Sequence, residues 1–377
     1  MADEPISEAV SPSDSPAPPV QHPLNYTGEA KTLGWLVFKN TLLTIITLGF
    51  YRFWGKTHIR RYIWSSQSLF GEPLEYTGTG KELFLGFLIV LAVLIPIGII
   101  INVGNFYIQT MGNNIALISF QVVYYLILFY LFGYAVYRAR RYQLSRTVWR
   151  SIRFAQAGDA KKYALKFIGY WLLAVATIGL AAPLAMVRLQ TYLTNNTFLG
   201  QENFNLDARA KDIFWQTILC AILAPFTLYL SVLWFAAFYA RYTISKTSFG
   251  PVQLTLPVTF RDLAAIYIPY VLVLVIIFAG ITGPIFFAGY NLENIAKIGA
   301  SSFASITGLI LFVFFMPVIA VMMITHRLLG LYATKLEAEG EIDLEAFVQN
   351  TQQASGTGEG LVDALDVGGA GGIEVGL

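Results

Sequence analysis

A chain of 377 residues that is 56% hydrophobic and only 13% charged, with a mean hydropathy of +0.59, carries more apolar surface than an ordinary soluble domain can bury. The net charge of +2 hides a partition: residues 1–30 hold five acids and no Lys or Arg, residues 336–377 hold nine acids and no base, and the stretch between them holds all 25 bases against nine acids. A body of net +16, with its bases at the ends of apolar runs, points to anionic lipid headgroups and away from nucleic acid.

Residues 1–30 are rich in Pro, Ser, Ala and acid, and they lack the basic and apolar regions of a cleavable signal peptide, so a disordered tail is expected there. Seven apolar stretches of roughly bilayer length follow, over residues 34–54, 83–103, 115–137, 163–187, 213–238, 264–288 and 305–325. Several carry a break: Gly49 in the first, Pro96 in the second, Gly179 and Pro183 in the fourth, Pro225 in the fifth, Pro269 and Pro284 in the sixth, Pro317 in the seventh. A proline inside a membrane helix frees a carbonyl that neighbours must satisfy, which favours a packed bundle over simple anchors. From residue 336 the chain is acidic and Gly-rich; residues 337–352 suit a short amphipathic helix and the remainder a disordered tail. Residues 31–335 are thus expected to form the embedded domain. The fold class expected is all-α, a polytopic transmembrane bundle of about seven segments.

Loop charge suggests an orientation. Lys56, Arg60, Arg61 and Lys81 follow the first segment, and a dense set from Arg138 to Lys166 follows the third, whereas the link after the second has no charge. The positive-inside rule then places the C-terminus in the cytoplasm. Simple alternation puts the connector holding Arg188, Arg209 and Lys211 outside, against that rule. Degenerate repetition offers a way out. Tyr142, Tyr192 and Tyr242 stand 50 residues apart, each followed five places on by Thr147, Thr197 or Thr247, and Thr47, Gly49 and Tyr62 match Thr177, Gly179 and Tyr192 in spacing. If repeated connectors share one side, the first and fourth segments become re-entrant half-helices broken at Thr-Leu-Gly and Thr-Ile-Gly.

Candidate binding residues lie at the helix ends: Arg60, Arg61, Tyr62, Arg138, Arg140, Arg141, Tyr142, Arg188, Tyr192, Arg241 and Tyr242. Arg and Tyr at such places anchor a helix at the headgroup level, and guanidinium also binds phosphate bidentately, so the same set could line a vestibule for an anionic lipid or solute. Trp54, Trp64, Trp149, Trp171, Trp215 and Trp234 suit belt and packing roles. No acid lies well inside any apolar stretch, which removes the usual intramembrane carboxylate of a proton- or sodium-coupled carrier. The lone Cys220 permits no intrachain disulfide, and His22, His58 and His326 are scattered without a metal-binding spacing. Gly78-Thr79-Gly80-Lys81 lacks the first glycine of a phosphate loop and continues with Glu82 instead of a hydroxyl residue. No catalytic constellation, cofactor site or metal site is expected.

The combination Asn40, Leu43-Thr44, Thr47-Leu48-Gly49, Tyr51, Trp54, Lys56, Arg60, Arg61-Tyr62, Gly71 and Tyr76 resembles the bacterial YjgN-like inner-membrane proteins, a domain family of unknown function. The likeness is dense over residues 34–82 and looser to about 335; Phe53 stands where the family pattern favours Pro, and Pro183 fills the matching place downstream. The resemblance implies a bacterial inner-membrane location and no reaction, ligand or cofactor. The function expected is a transporter or channel-like protein for a small or lipidic anion, with a non-transporting envelope scaffold or lipid organiser as the rival. Membrane lipids with anionic headgroups are the expected partners.

Overall fold

The computed structural model describes residues 20–289 and 295–340. It is not an all-α bundle. Short strands alternate with helices along the chain and join in one sheet of eleven strands, in the order β1-β11-β10-β9-β8-β7-β6-β5-β4-β3-β2. They are β1 (Val20–Gln21), β2 (Leu24–Tyr26), β3 (Gln67–Leu69), β4 (Glu72–Tyr76), β5 (Thr147–Trp149), β6 (Ile152–Gln156), β7 (Thr197–Leu199), β8 (Glu202–Leu206), β9 (Thr247–Phe249), β10 (Val252–Thr255) and β11 (Glu337–Glu339). Every pairing is antiparallel.

The two ends of the sheet, β1 and β2, are separated in the chain only by His22 and Pro23. One segment therefore pairs with β11 on one side and with β3 on the other, and the sheet curls back on itself. This removes the free edges that an open sheet of short strands would present. Proline suits the junction, since it has no backbone N–H to donate while its carbonyl accepts from the amide of Phe70 at 2.6 Å.

The hairpin turns explain why these polar connectors become strands. Phe70-Gly71 and Arg150-Ser151 both have positive φ at both positions (49° and 84°, 47° and 65°), the backbone twist that matches paired antiparallel strands. Facing residues across the ladders then line up as Leu24 with Leu69, Leu74 with Trp149, Phe154 with Leu199, Phe204 with Phe249 and Leu254 with Ala338. Nine of these ten are buried, and they form an apolar rung that runs round the inside of the sheet. Trp149 is 1% exposed and donates Nε1 to the Leu69 carbonyl at 2.9 Å, so even its polar atom is satisfied within the rung.

Helices leave and return at the same margin of the sheet. Three pairs are short: α1 (Ala30–Ile46) with α2 (Arg52–Ser65), α5 (Ala160–Ala176) with α6 (Ala182–Asn195), and α7 (Ala210–Leu223) with α8 (Leu230–Ser245). Two runs are long: α3 (Gly80–Thr110) with α4 (Asn114–Arg146), and α9 (Phe260–Gly289) with α10 (Ile295–Ala320), which continues through a π-helical stretch, Val321–Thr325, into α11 (His326–Lys335). At about 1.5 Å per residue, the 17 residues of α1 reach about 25 Å and the 31 of α3 about 46 Å, against a hydrocarbon layer of about 30 Å. Among the described residues four helices are long and apolar enough to cross a membrane, Gly80–Thr110, Asn114–Arg146, Phe260–Gly283 and Phe303–Lys335. The seven-span expectation fails for a local reason.

In each short pair a threonine hydroxyl caps the second helix at the break. Thr47 Oγ1 accepts from the Tyr51 amide at 2.9 Å, Thr177 Oγ1 from Ala181 at 3.0 Å and Thr227 Oγ1 from Ser231 at 3.2 Å. Each also donates to the carbonyl four residues earlier, so the hydroxyl joins both helices across the turn. Gly49 supplies φ +95° and Gly179 φ +88°, while the third turn places Leu228 and Tyr229 at φ 48° and 63°.

The domain limits expected from composition also move. Val20–Tyr26 and Glu337–Glu339 belong to the sheet, and Glu337–Glu339 is strand where the start of an amphipathic helix was expected. The remainder of both acidic ends, and the rest of that expected helix, lie outside the described residues.

Candidate functional site

The eleven candidate residues do not converge on one place. The tyrosines bind the two members of a helix pair together. Tyr62 Oη accepts from the Glu29 amide at 2.9 Å, Tyr192 Oη from Asp159 at 3.2 Å and Tyr242 Oη from Arg209 at 2.9 Å, each across 33 residues of sequence. Those three acceptor contacts occupy the residue just before α1, α5 and α7, where a helix leaves amide protons unbonded. Tyr142 does the same work by another bond, donating to Glu82 Oε2 at 2.5 Å, with Arg146 Nε 3.1 Å from the same carboxylate oxygen.

The arginines divide. Arg188 and Arg241 are exposed, and Arg138 and Arg141 are half-buried. Arg61 donates to the Gly78 carbonyl at 3.0 Å. Arg60 is buried, donates to Tyr76 Oη at 3.1 Å and lies 5.6 Å from the centre of that ring. Arg140 alone of the eleven candidates lines a cavity, of about 220 Å³, where α4, α6 and α8 meet β7, β8 and β9. Its Nε is buried with no hydrogen-bond partner among the described residues.

Position explains the division. Arg60, Arg140, Gln190 and Ala240 each stand two residues before Tyr62, Tyr142, Tyr192 or Tyr242, and two residues along a helix turn a side chain by about 200°. The tyrosines reach the neighbouring helix start while the residues two before them turn inward. Arg140, Gln190 and Ala240 consequently share one cavity wall, and Arg60 meets Tyr76 on the interior face of β4.

Around Arg140 the wall is mixed. Phe204, Leu254 and Leu256 give an apolar side, and Thr197, Thr243 and Thr247 a polar one; no lining residue is acidic among those described. Gln156 stands opposite Thr197 in the β6–β7 ladder, which places both side chains on the same face of the sheet. Gln156 is 2% exposed, with its side-chain amide beside the Tyr137 hydroxyl. A buried polar atom left unbonded costs about 1–3 kcal/mol, so the Arg140 Nε is a place where a further polar group would be stabilising.

Sequence reasoning missed Gln190 and Thr243 as cavity residues, and Gln156 as a buried amide on the same sheet face as Thr197. The inward offset from each tyrosine identifies Gln190; nothing local identifies Gln156. Thr197 and Thr247 stand out in the sequence by their spacing alone. Among the described residues no group of three His, Cys, Asp or Glu is placed to hold a metal ion.

With this geometry in place, comparison with known proteins is decisive for the family and silent on activity. A family described as "Bacterial protein of unknown function (DUF898)" matches residues 21–215 and 203–334. The chain belongs to that family. A relative, the inner membrane protein YjgN of Salmonella typhimurium, is 35% identical over 104 residues, 27% of this chain and 26% of the relative. The chain thus spans about a quarter of the length of that curated relative. No solved structure matches. The family assignment and the four apolar helices together make this a membrane protein of the YjgN-like group.

Proposed function

We propose that this chain is a multi-pass inner-membrane protein that takes up a small or lipidic anion in the cavity beside Arg140 and passes it through the bilayer. One observation carries the reading: a guanidinium with a buried, unbonded Nε lines a partly open cavity in which no described lining residue is acidic. A charge so placed is stabilised by an incoming anion, and Arg offers the fork that carboxylates and phosphates fit.

In this reading the sheet faces the cytoplasm. Lys81, Arg146, Lys161, Arg209 and Lys211 all lie within two residues of a helix end that adjoins the sheet, while the turn between α3 and α4, at Met111–Asn113, has no charge. The connector that opposed simple alternation then sits with the others, and the chain after α11 is cytoplasmic. The first four helix runs, each followed by a strand pair and three of them sharing the 33-residue tyrosine contact, support descent from one duplicated unit.

The test is anion uptake into liposomes containing the purified protein. Arg140→Ala lowers the flux about tenfold or more, corresponding to about 1.4 kcal/mol, whereas Arg241→Ala leaves it unchanged. Equal flux in wild type and Arg140→Ala overturns the proposal. The rival, a lipid-organising scaffold, is favoured by the packed rung of Trp149, Phe154, Phe204 and Phe249, which obstructs the middle of the sheet. It is chosen instead if a phospholipid stays bound through purification and no solute moves.

A further inference from the structure

We infer that the ligand of the Arg140 cavity is a small monoanion that also carries a hydroxyl donor, a hydroxylated carboxylate or a hydrogen-bearing phosphate; this rests on the anion-binding reading above. The argument comes from where the cavity's own protons go. Thr197 Oγ1 donates to the Leu193 carbonyl at 2.9 Å, Thr247 Oγ1 to Thr243 at 2.8 Å and Thr243 Oγ1 to Tyr239 at 2.7 Å. A threonine hydroxyl has one proton and two lone pairs. With the proton committed to a helix carbonyl, each of these three hydroxyls can only accept. At these three positions the polar rim, which looks ready to donate to an anion, is therefore an acceptor surface.

Donors to an anion come from elsewhere on the wall. Arg140 supplies the guanidinium, and the Gln190 amide, whose one hydrogen bond to Thr194 Oγ1 is long at 3.4 Å, supplies a second donor group. The anionic group belongs at Arg140, and the threonine side calls for a ligand O–H. A ligand without one leaves threonine lone pairs dry and unmatched, which is how a polar site rejects a close analogue. One guanidinium with no acid on the described wall matches a single negative charge. Size follows from the volume: a cavity of about 220 Å³ has room for a short carboxylate and is below the size of the sites that hold larger organic ligands. The apolar wall of Phe204, Leu254 and Leu256 suits a short hydrocarbon body between the two polar ends.

The experiment is equilibrium binding to the full chain in lipid nanodiscs, with beta-hydroxybutyrate, butyrate and inorganic phosphate as probes. Beta-hydroxybutyrate binds about tenfold tighter than butyrate, Arg140→Gln weakens it about tenfold or more, and Arg140→Lys, which keeps the charge without the fork, weakens it less. Thr247→Val keeps the shape and shrinks the preference for the hydroxylated acid while sparing butyrate. Phosphate binding that depends on Arg140 and Thr247 supports the same chemistry with phosphate as its source. Equal affinity for beta-hydroxybutyrate and butyrate, both lost in Arg140→Gln, overturns the hydroxyl requirement and leaves the anion site standing. Affinity of all probes indifferent to Arg140, or no binding by any of them, overturns both.

Discussion

The hydroxyl of Tyr26 meets Nδ1 of His326 at 3.1 Å, and so fastens the strand that closes the sheet to the helix that leads into its last strand. The two residues are 300 apart in the chain. Burial, with the nearby Tyr62 as a lesser influence, pushes the Tyr26 phenol up to about 12. The neutral phenol is the form the fold favours, so its contribution is complete below the ordinary tyrosine value of 10.0 and is lost as pH climbs from there through about 12. Melting temperature recorded in detergent across that window should fall in wild type, and the fall should be shallower in Tyr26→Phe.

Closure of the sheet depends on the same segment. Leu24 is 4% exposed and faces Leu69. Leu24→Asp puts an unpaired carboxylate in that contact, with an expected loss of about 3 kcal/mol or more. Chemical denaturation in mild detergent, with protease access to residues 20–26 as a second readout, measures it; an unchanged midpoint would show that closure is not stabilising.

Trp149 is the largest member of the rung. Trp149→Ala should lower stability by about 3–5 kcal/mol, because its pocket is walled by strands on both sides and cannot collapse. Thr147→Val is the milder companion: it removes the oxygen that accepts from Trp64 Nε1 at 2.9 Å, at an expected cost of about 1–3 kcal/mol for the stranded indole N–H.

Tyr192→Phe keeps the ring and deletes the hydroxyl that bonds the amide and carbonyl of Asp159. The expected effect is about 0.5–1.5 kcal/mol of stability with no change in anion binding. Urea melts and a binding isotherm on one sample distinguish this from a ligand role, which would reverse the two outcomes.

At the helix breaks, Thr47→Val and Thr177→Val remove the hydroxyl that accepts from the next helix, at about 1 kcal/mol each. Hydrogen exchange at the amides of Tyr51 and Ala181 reads the loss locally.

Much of the helical plan is legible in the amino acids. The four spanning helices coincide with strongly apolar stretches, and the breaks at Thr47 and Thr177 are written in Thr-Leu-Gly and Thr-Ile-Gly. The third break is marked by Pro225 alone, because Tyr229 occupies the left-handed position that glycine marks elsewhere. The sheet is hidden for a different reason. Strands such as Gln67–Leu69 and Glu72–Tyr76 are three and five residues long, and too short to develop an alternation that distinguishes them from polar loops. Each pairs on one side across a short turn and on the other with a strand remote in sequence, as Leu24 and Leu69 show, so the second pairing is a property of closure and not of local pattern. For the cavity, arginine at a helix end reads as an anchor wherever it occurs. Only the inward turn of Arg140, set by its offset from Tyr142, separates it from exposed Arg241.

The last pairing in the sheet joins Gln21, near the start of the chain, to Ala338, near its end. During synthesis, β2 and the early hairpins can assemble as they emerge, but β10 has no neighbour on its far side until the final helix has been inserted and Glu337–Glu339 has left the ribosome. A nascent chain that stops short of Glu337 leaves two raw sheet edges, those of β10 and β1, without partners. The architecture thereby distinguishes a finished molecule from an unfinished one without any separate quality-control signal.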